Sequence, residues 1–81
     1  MAAKDPMLRQ LGEYLRSVRE EKGWSQEELA HRCGVHRTYV GGIERAEYNI
    51  TLLTLRRFTD ALGISLVDAA KGTSRGRLRR K

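Results

Sequence analysis

Eighty-one residues allow one small domain, near the size at which a single hydrophobic core is only just sufficient. No apolar run approaches the ~18 residues of a membrane span, MAAKDPMLRQ lacks the apolar core of a signal peptide, and a lone cysteine, Cys33, excludes an internal disulfide, so the expected address is cytoplasmic. The formal charge of +6 resides in the last stretch: six of the sixteen basic residues fall in 71–81 with no acid among them, leaving 1–70 neutral, so bulk charge does not argue for nucleic-acid binding by the folded part.

Residues 1–5 lack periodicity and are expected to be flexible. Asp5-Pro6 is a helix start, with Asp at the N-cap and Pro at the first helical position. Leu8, Leu11, Leu15 and Val18 then recur at spacings of three and four, the inner face of an amphipathic helix. Gly23 after Lys22 is the stop, which predicts a first helix over about 6–22. Ser25-Gln-Glu-Glu28 is a capping-box sequence opening a second helix, with Leu29, Ala30 and Cys33 inward, that ends before Gly34. His36 is expected to cap a third helix whose inner face is Val40 and Ile43. Residues 46–50 read as a polar loop. Thr51 caps a fourth helix with Leu52, Leu55, Phe58 or Thr59, and Leu62 as its buried stripe, ended by Gly63. Ser65 to Asp68 opens a short helix to about Ala70. Residues 71–81 form a basic tail, too poor in apolar residues for a core and expected to be disordered, able to gather phosphates without choosing sequence. No strand signal occurs. The expectation is an all-α, five-helix domain over 6–70.

The second and third helices have the offsets of a helix-turn-helix. Counting from Gln26, Leu29 and Cys33 face the core, and Ala30 sits where the helices approach most closely. Gly34 supplies the positive φ of the turn without a Cβ penalty, and Val35, Val40 and Ile43 line the inner side.

With these residues in view, LRSVREEKGWSQEELA, CGVHRTYVGGIERAEYN and TLLTLRRFTDALGISLVDA over residues 8–70 closely resemble the phage-repressor-like, or xenobiotic-response-element-type, helix-turn-helix family. Within it, HRTYVGGIER and the chain length are most similar to the small controller proteins of restriction–modification systems. The resemblance implies a compact lambda-repressor-like domain, a homodimer, and an operator of two half-sites in double-stranded DNA.

In such a domain the recognition helix enters the major groove by its N-terminal end. Arg37, Thr38 and Tyr39 are then the base-reading candidates. A guanidinium bonds O6 and N7 of guanine together, and Thr38 offers a hydroxyl and a methyl to base edges. Tyr39 can bond a phosphate or stack on a sugar. Gln26, at the family's phosphate-contact position, and His36, Arg45, Tyr48, Asn49 and Thr51 form the phosphate-binding set, which fixes register rather than sequence; Asn49 and Thr51 are also accounted for by loop bonds and an N-cap. By resemblance, Arg19 and Glu44 form a structural ion pair across the first and third helices. Gly41 and Gly42 are two helix-interior glycines, each costing roughly 0.5–1 kcal/mol relative to alanine. The position of Gly42 often carries a base reader in phage repressors. Either the glycines let the backbone approach DNA closely, or solvent exposure tolerates them, and DNA shape fills the gap in readout.

Leu53, Leu66 and Val67 are apolar positions that the monomer core does not need, and they form the expected dimer interface. His31, Cys33 and His36 lie close in sequence, but their side chains diverge and no second cysteine completes a zinc pattern, so no metal or other cofactor is expected. No catalytic arrangement emerges. The functional expectation is a dimeric, sequence-specific transcription regulator, activator or repressor, bound to a palindromic operator. The alternative is an antitoxin-like or adaptor protein using the same fold mainly for a protein partner.

Overall fold

The structure, a computed structural model, describes residues 5–78, with side chains through Gly72. The expectations for residues 1–4 and 79–81 lie outside the described residues. Five helices follow one another: α1 (Pro6–Glu21), α2 (Gln26–Cys33), α3 (Arg37–Glu44), α4 (Leu52–Leu62) and α5 (Leu66–Leu78), with no strand among the described residues.

The starts are set by side-chain oxygens that take up orphan helix N–H groups. Asp5 Oδ1 accepts from Met7 N at 2.7 Å, Ser25 Oγ from Glu28 N at 3.0 Å, and Thr51 Oγ1 from Thr54 N at 3.1 Å. Ser65 and Asp68 bond each other's backbone N–H reciprocally, a complete capping box. At Ser25 the box is half made, because the Glu28 carboxylate turns instead to Arg32, 2.7 Å away. The expected cap at His36 is a correction: the residue has extended N-cap backbone, but its side chain makes no cap hydrogen bond. The first turn of α3 is left open.

Helices end on a recurring device, a left-handed residue that folds the next N–H back onto the last turn. Gly34 and Gly63 serve α2 and α4 with φ of 73° and 75°. At the end of α3 the residue is Ala46, φ 63°, with Ala46 N on Ile43 O at 3.0 Å and Glu47 N on Gly42 O at 2.8 Å. The loop therefore does not begin as a polar surface segment, since the Ala46 methyl is buried.

Leu11, Leu15, Leu29, Ala30, Cys33, Val40, Ile43, Phe58, Leu62 and Ala69 make the core, with Phe58 fully buried. Helix α1 crosses α3 and α5 at close range because two of its contacts lack or accommodate a missing side chain. A Cβ on Gly12 would lie 2.6 Å from the Ile43 carbonyl oxygen and 2.7 Å from that of Glu44, and one on Gly72 would lie 2.6 Å from Cγ of Tyr14. Helix–helix distance is thus fixed by glycine at both crossings.

Two expectations fail here. Leu52 is not part of the buried stripe: it is 68% exposed, in a first turn of α4 that projects beyond the core. The last helix does not stop near Ala70 but continues to Leu78, into the stretch expected to be a disordered tail. Docking of Gly72 on Tyr14 holds α5 against α1, and a helix already nucleated extends at the cost of only one residue per new hydrogen bond.

Candidate nucleic-acid interface

Helix α2 packs on α3 through the small, buried Ala30 and the turn at Gly34, and this brings the two helix N-termini to one surface. Ser25, Gln26 and Glu27 from the start of α2 share an open depression of about 410 Å³ with Arg37 from the start of α3. Arg37, Thr38 and His36 are exposed. N–H groups at two adjacent helix starts favour an anion, and the side chains beside them are a guanidinium, a hydroxyl, an amide and the Glu27 carboxylate, which opposes one.

The other end of α3 is anchored. Arg19, buried, donates Nε to Glu44 Oε2 at 2.7 Å and Nη2 to Glu44 Oε1 at 3.0 Å, while its Nη1 donates to the Trp24 carbonyl at 2.7 Å. The fork to Glu44 raises the Arg19 pKa above its ordinary value, partly offset by burial. Glu44 Oε1 also accepts from Gln26 Nε2 at 3.0 Å. The ion pair therefore reaches the first residue of α2 and orients its amide. This link was not anticipated from sequence, because nothing in the spacing of residues 26 and 44 announces it.

The rest of the phosphate set is dispersed. The exposed Arg45 guanidinium forks onto Glu47 at 2.9 and 3.1 Å, which raises its pKa, so a phosphate would compete with that carboxylate. Thr51 accepts the Thr54 N–H and donates to Thr54 Oγ1 at 2.9 Å, so its hydroxyl is engaged as a cap. Asn49 is exposed and borders an apolar groove rather than α3. Tyr39 is half-buried: its ring stacks on Tyr48, centroids 5.4 Å apart and planes 18° from parallel, and meets Phe58 edge-on at 6.4 Å.

Solvent exposure does not account for the paired glycines. Both are buried. A Cβ on Gly42 would overlap the Tyr48 ring, and one on Gly41 would come within 3.0 Å of Arg45 Nη1. Gly42 makes room for the Tyr48 ring, whereas at Gly41 only the flexible tips of Arg45 and Gln26 lie close.

Among the groups set aside for a metal, His31 and His36 are exposed while Cys33 is buried. Burial pushes the Cys33 thiol up to about 11. Trp24, not singled out from sequence, carries Arg32 over its face at 4.1 Å and Lys22 at 5.3 Å, a cap on the α1–α2 corner.

Of the expected dimer residues, Leu66 and Val67 line an open groove of about 500 Å³ with Met7, Leu8, Leu52 and Leu55. Leu53 lies outside that lining but is 69% exposed, beside Leu52. Met7, Leu52 and Val67 thus add to one another as exposed apolar surface on the side formed by α1, α4 and α5.

Comparison with known proteins decides the family. The model of the helix-turn-helix family matches residues 15–68. The chain belongs to this family. Among family members, a Neisseria meningitidis protein named a hypothetical transcription factor is 49% identical over 51 residues, 63% of this chain and 48% of its own length, so the chain spans about half of that relative. The control protein C.BamHI of Bacillus amyloliquefaciens is 37% identical over 71 residues, 86% of this chain and 88% of that one. Among solved structures, the restriction–modification controller protein C.Esp1396I, a tetramer in complex with its natural 35 base-pair operator, is 32% identical with a TM-score of 0.78, covering 90% of this chain and 96% of that one. The helix-turn-helix of this chain is thus that of the DNA-binding transcription regulators, with restriction–modification controllers among its relatives.

Proposed function

We propose that the protein binds a palindromic operator as a homodimer, lays α3 into the major groove by its N-terminal end, and regulates transcription of a restriction–modification system by binding rather than by catalysis. The observation that carries this reading is the open first turn of α3, where Arg37 and Thr38 stand exposed beside the start of α2 while the opposite end of the helix is clamped. Arg37 is the guanine reader and Thr38 its neighbour on the base edges. Gln26, its amide set by Glu44, and His36 hold flanking phosphates, with Arg45 joining them on exchange from Glu47. The exposed apolar side chains of Leu53 and Val67, with Leu66 lining the groove at the start of α5, pair across the two-fold axis. A chain of this length buries only about 60% of its unfolded surface, so dimerisation supplies burial the monomer lacks. The two recognition helices then sit about 34 Å apart, one turn of DNA.

Selection of bound sequences from a pool of random duplexes tests this directly. The expected product is an inverted repeat whose half-site centres are about 10 base pairs apart. A pool that comes through with no enriched motif, or with a single unrepeated half-site, would overturn the reading.

A further inference from the structure

Gly42 stands four residues beyond Thr38, and residues four apart in a helix lie one above the other on the same face. The face that presents Thr38 therefore continues to a position with no side chain, yet Gly42 is buried. What covers it is the ring of Tyr48, folded back from the loop after α3: a Cβ at Gly42 would overlap Cε2 and lie 2.5 Å from Cδ2 of that ring. Tyr48 is held further by its stack on Tyr39, which is itself braced edge-on against the fully buried Phe58. Two rings thus connect Tyr48 to the core, while 44% of it remains exposed. A residue that only touched a phosphate would need neither a glycine cradle nor a stacked partner, because phosphate contacts tolerate a mobile side chain.

We propose that Tyr48 is a sequence-reading residue, standing in for the side chain that Gly42 lacks, with Tyr39 as the inner ring that positions it. The inference rests on the docking of α3 in the major groove. A ring edge suits a thymine methyl and the hydroxyl can donate to or accept from a base edge, so both ends of the side chain carry sequence information. At ~1.5 Å per helical residue Gly42 lies roughly 6 Å beyond Thr38. Successive bases on a strand are ~3.4 Å apart, so the Tyr48 contact falls about one or two base pairs further along each half-site than that of Thr38. Base reading and positioning are thereby divided between the two tyrosines in the reverse of the order that their places in the chain suggest.

Parallel selections from random duplexes with the full-length wild type, Tyr48→Ala and Gly42→Ala test the assignment, with thermal melting of each variant. Gly42→Ala displaces the ring without altering Tyr48, and it improves helix propensity, so it carries the test alone should Tyr48→Ala not fold. The expected result is that both variants keep the positions read by Arg37 and lose roughly tenfold discrimination at the same symmetric pair of positions elsewhere in the motif. Selection profiles identical to wild type, with affinity reduced evenly over all sequences, would assign Tyr48 to phosphate and overturn the proposal while leaving the proposed function intact. A wild type that selects no motif overturns the proposed function itself, and this inference with it.

Discussion

The two ends of α3 are held in opposite ways. At its C-terminal end, Glu44 is buried, takes two bonds from Arg19 and one from Gln26, and its carbonyl sits where Gly12 of α1 leaves no room for a side chain. At its N-terminal end, His36 makes no cap bond, and Arg37 and Thr38 are exposed. The helix is clamped at the end away from the proposed base readers and open at the end that carries them. Clamping sets the position of the open end before DNA arrives, so less orientational freedom is lost on binding. A buried ion pair is a costly way to hold a helix, and its forked geometry fits a positional role better than a stabilising one.

The contrast is most directly broken at the clamp. Glu44→Ala leaves the buried Arg19 guanidinium without its fork and releases Gln26, and is expected to cost about 3–5 kcal/mol in urea unfolding. A loss below about 1 kcal/mol would mean that α3 is held by packing alone. Gly12→Ala attacks the same end by steric means: the new methyl meets two backbone carbonyls that cannot rotate away, so α1 and α3 must separate. We expect about 1–3 kcal/mol of destabilisation, despite a gain of roughly 0.8–1 kcal/mol in helix propensity; net stabilisation would show that the crossing has slack. At the open end the signs reverse. Arg37→Ala should leave the unfolding free energy within about 0.5 kcal/mol of wild type, and reduce discrimination between the selected operator and random duplex by about 1–3 kcal/mol in competition binding. Equal weakening on both DNAs would move Arg37 to the phosphate set.

The smallest effect near neutral pH belongs to neither end. Cys33 is raised from 9.0 to about 11 by burial, so the folded state holds its proton more tightly than the unfolded one. The sign follows: its contribution is fully present below pH 9 and is lost as pH rises through about 11. Stability measured across that window should fall more steeply in wild type than in Cys33→Ala, and parallel curves would place the thiol in contact with solvent.

How much of this was legible in the residues depended on how local the physics was. Caps at Asp5, Ser25, Thr51 and Ser65 and stops at Gly23, Gly34 and Gly63 act within four residues, and they place the helices of an all-α domain from sequence. The offsets from Gln26 through Gly34 to Ile43 identified the helix-turn-helix for the same reason. Gly12 was half-legible. It falls on the inner face of an otherwise good helix, four residues after Leu8, and a glycine there costs stability that a close contact must justify. Nothing local marked the exposure of Leu52, which depends on how far α4 extends past the core.

Sequence alone determined the starts of the helices, the motif and the place of Arg37 and Thr38 in the first turn of α3, because capping, periodicity and glycine backbone freedom are properties of short segments. Only tertiary structure decided what the glycines are for. Gly12 and Gly72 are defined by carbonyls and a ring on other helices, and Gly42 by a tyrosine that the chain brings back after the Ala46 turn. It likewise decided that Gln26 is tied to the Arg19–Glu44 pair and that α5 runs on to Leu78. Each of these depends on contacts beyond the reach of a cap, from the near pair Gly42 and Tyr48 to the distant pair Tyr14 and Gly72, and on how the chain folds between them.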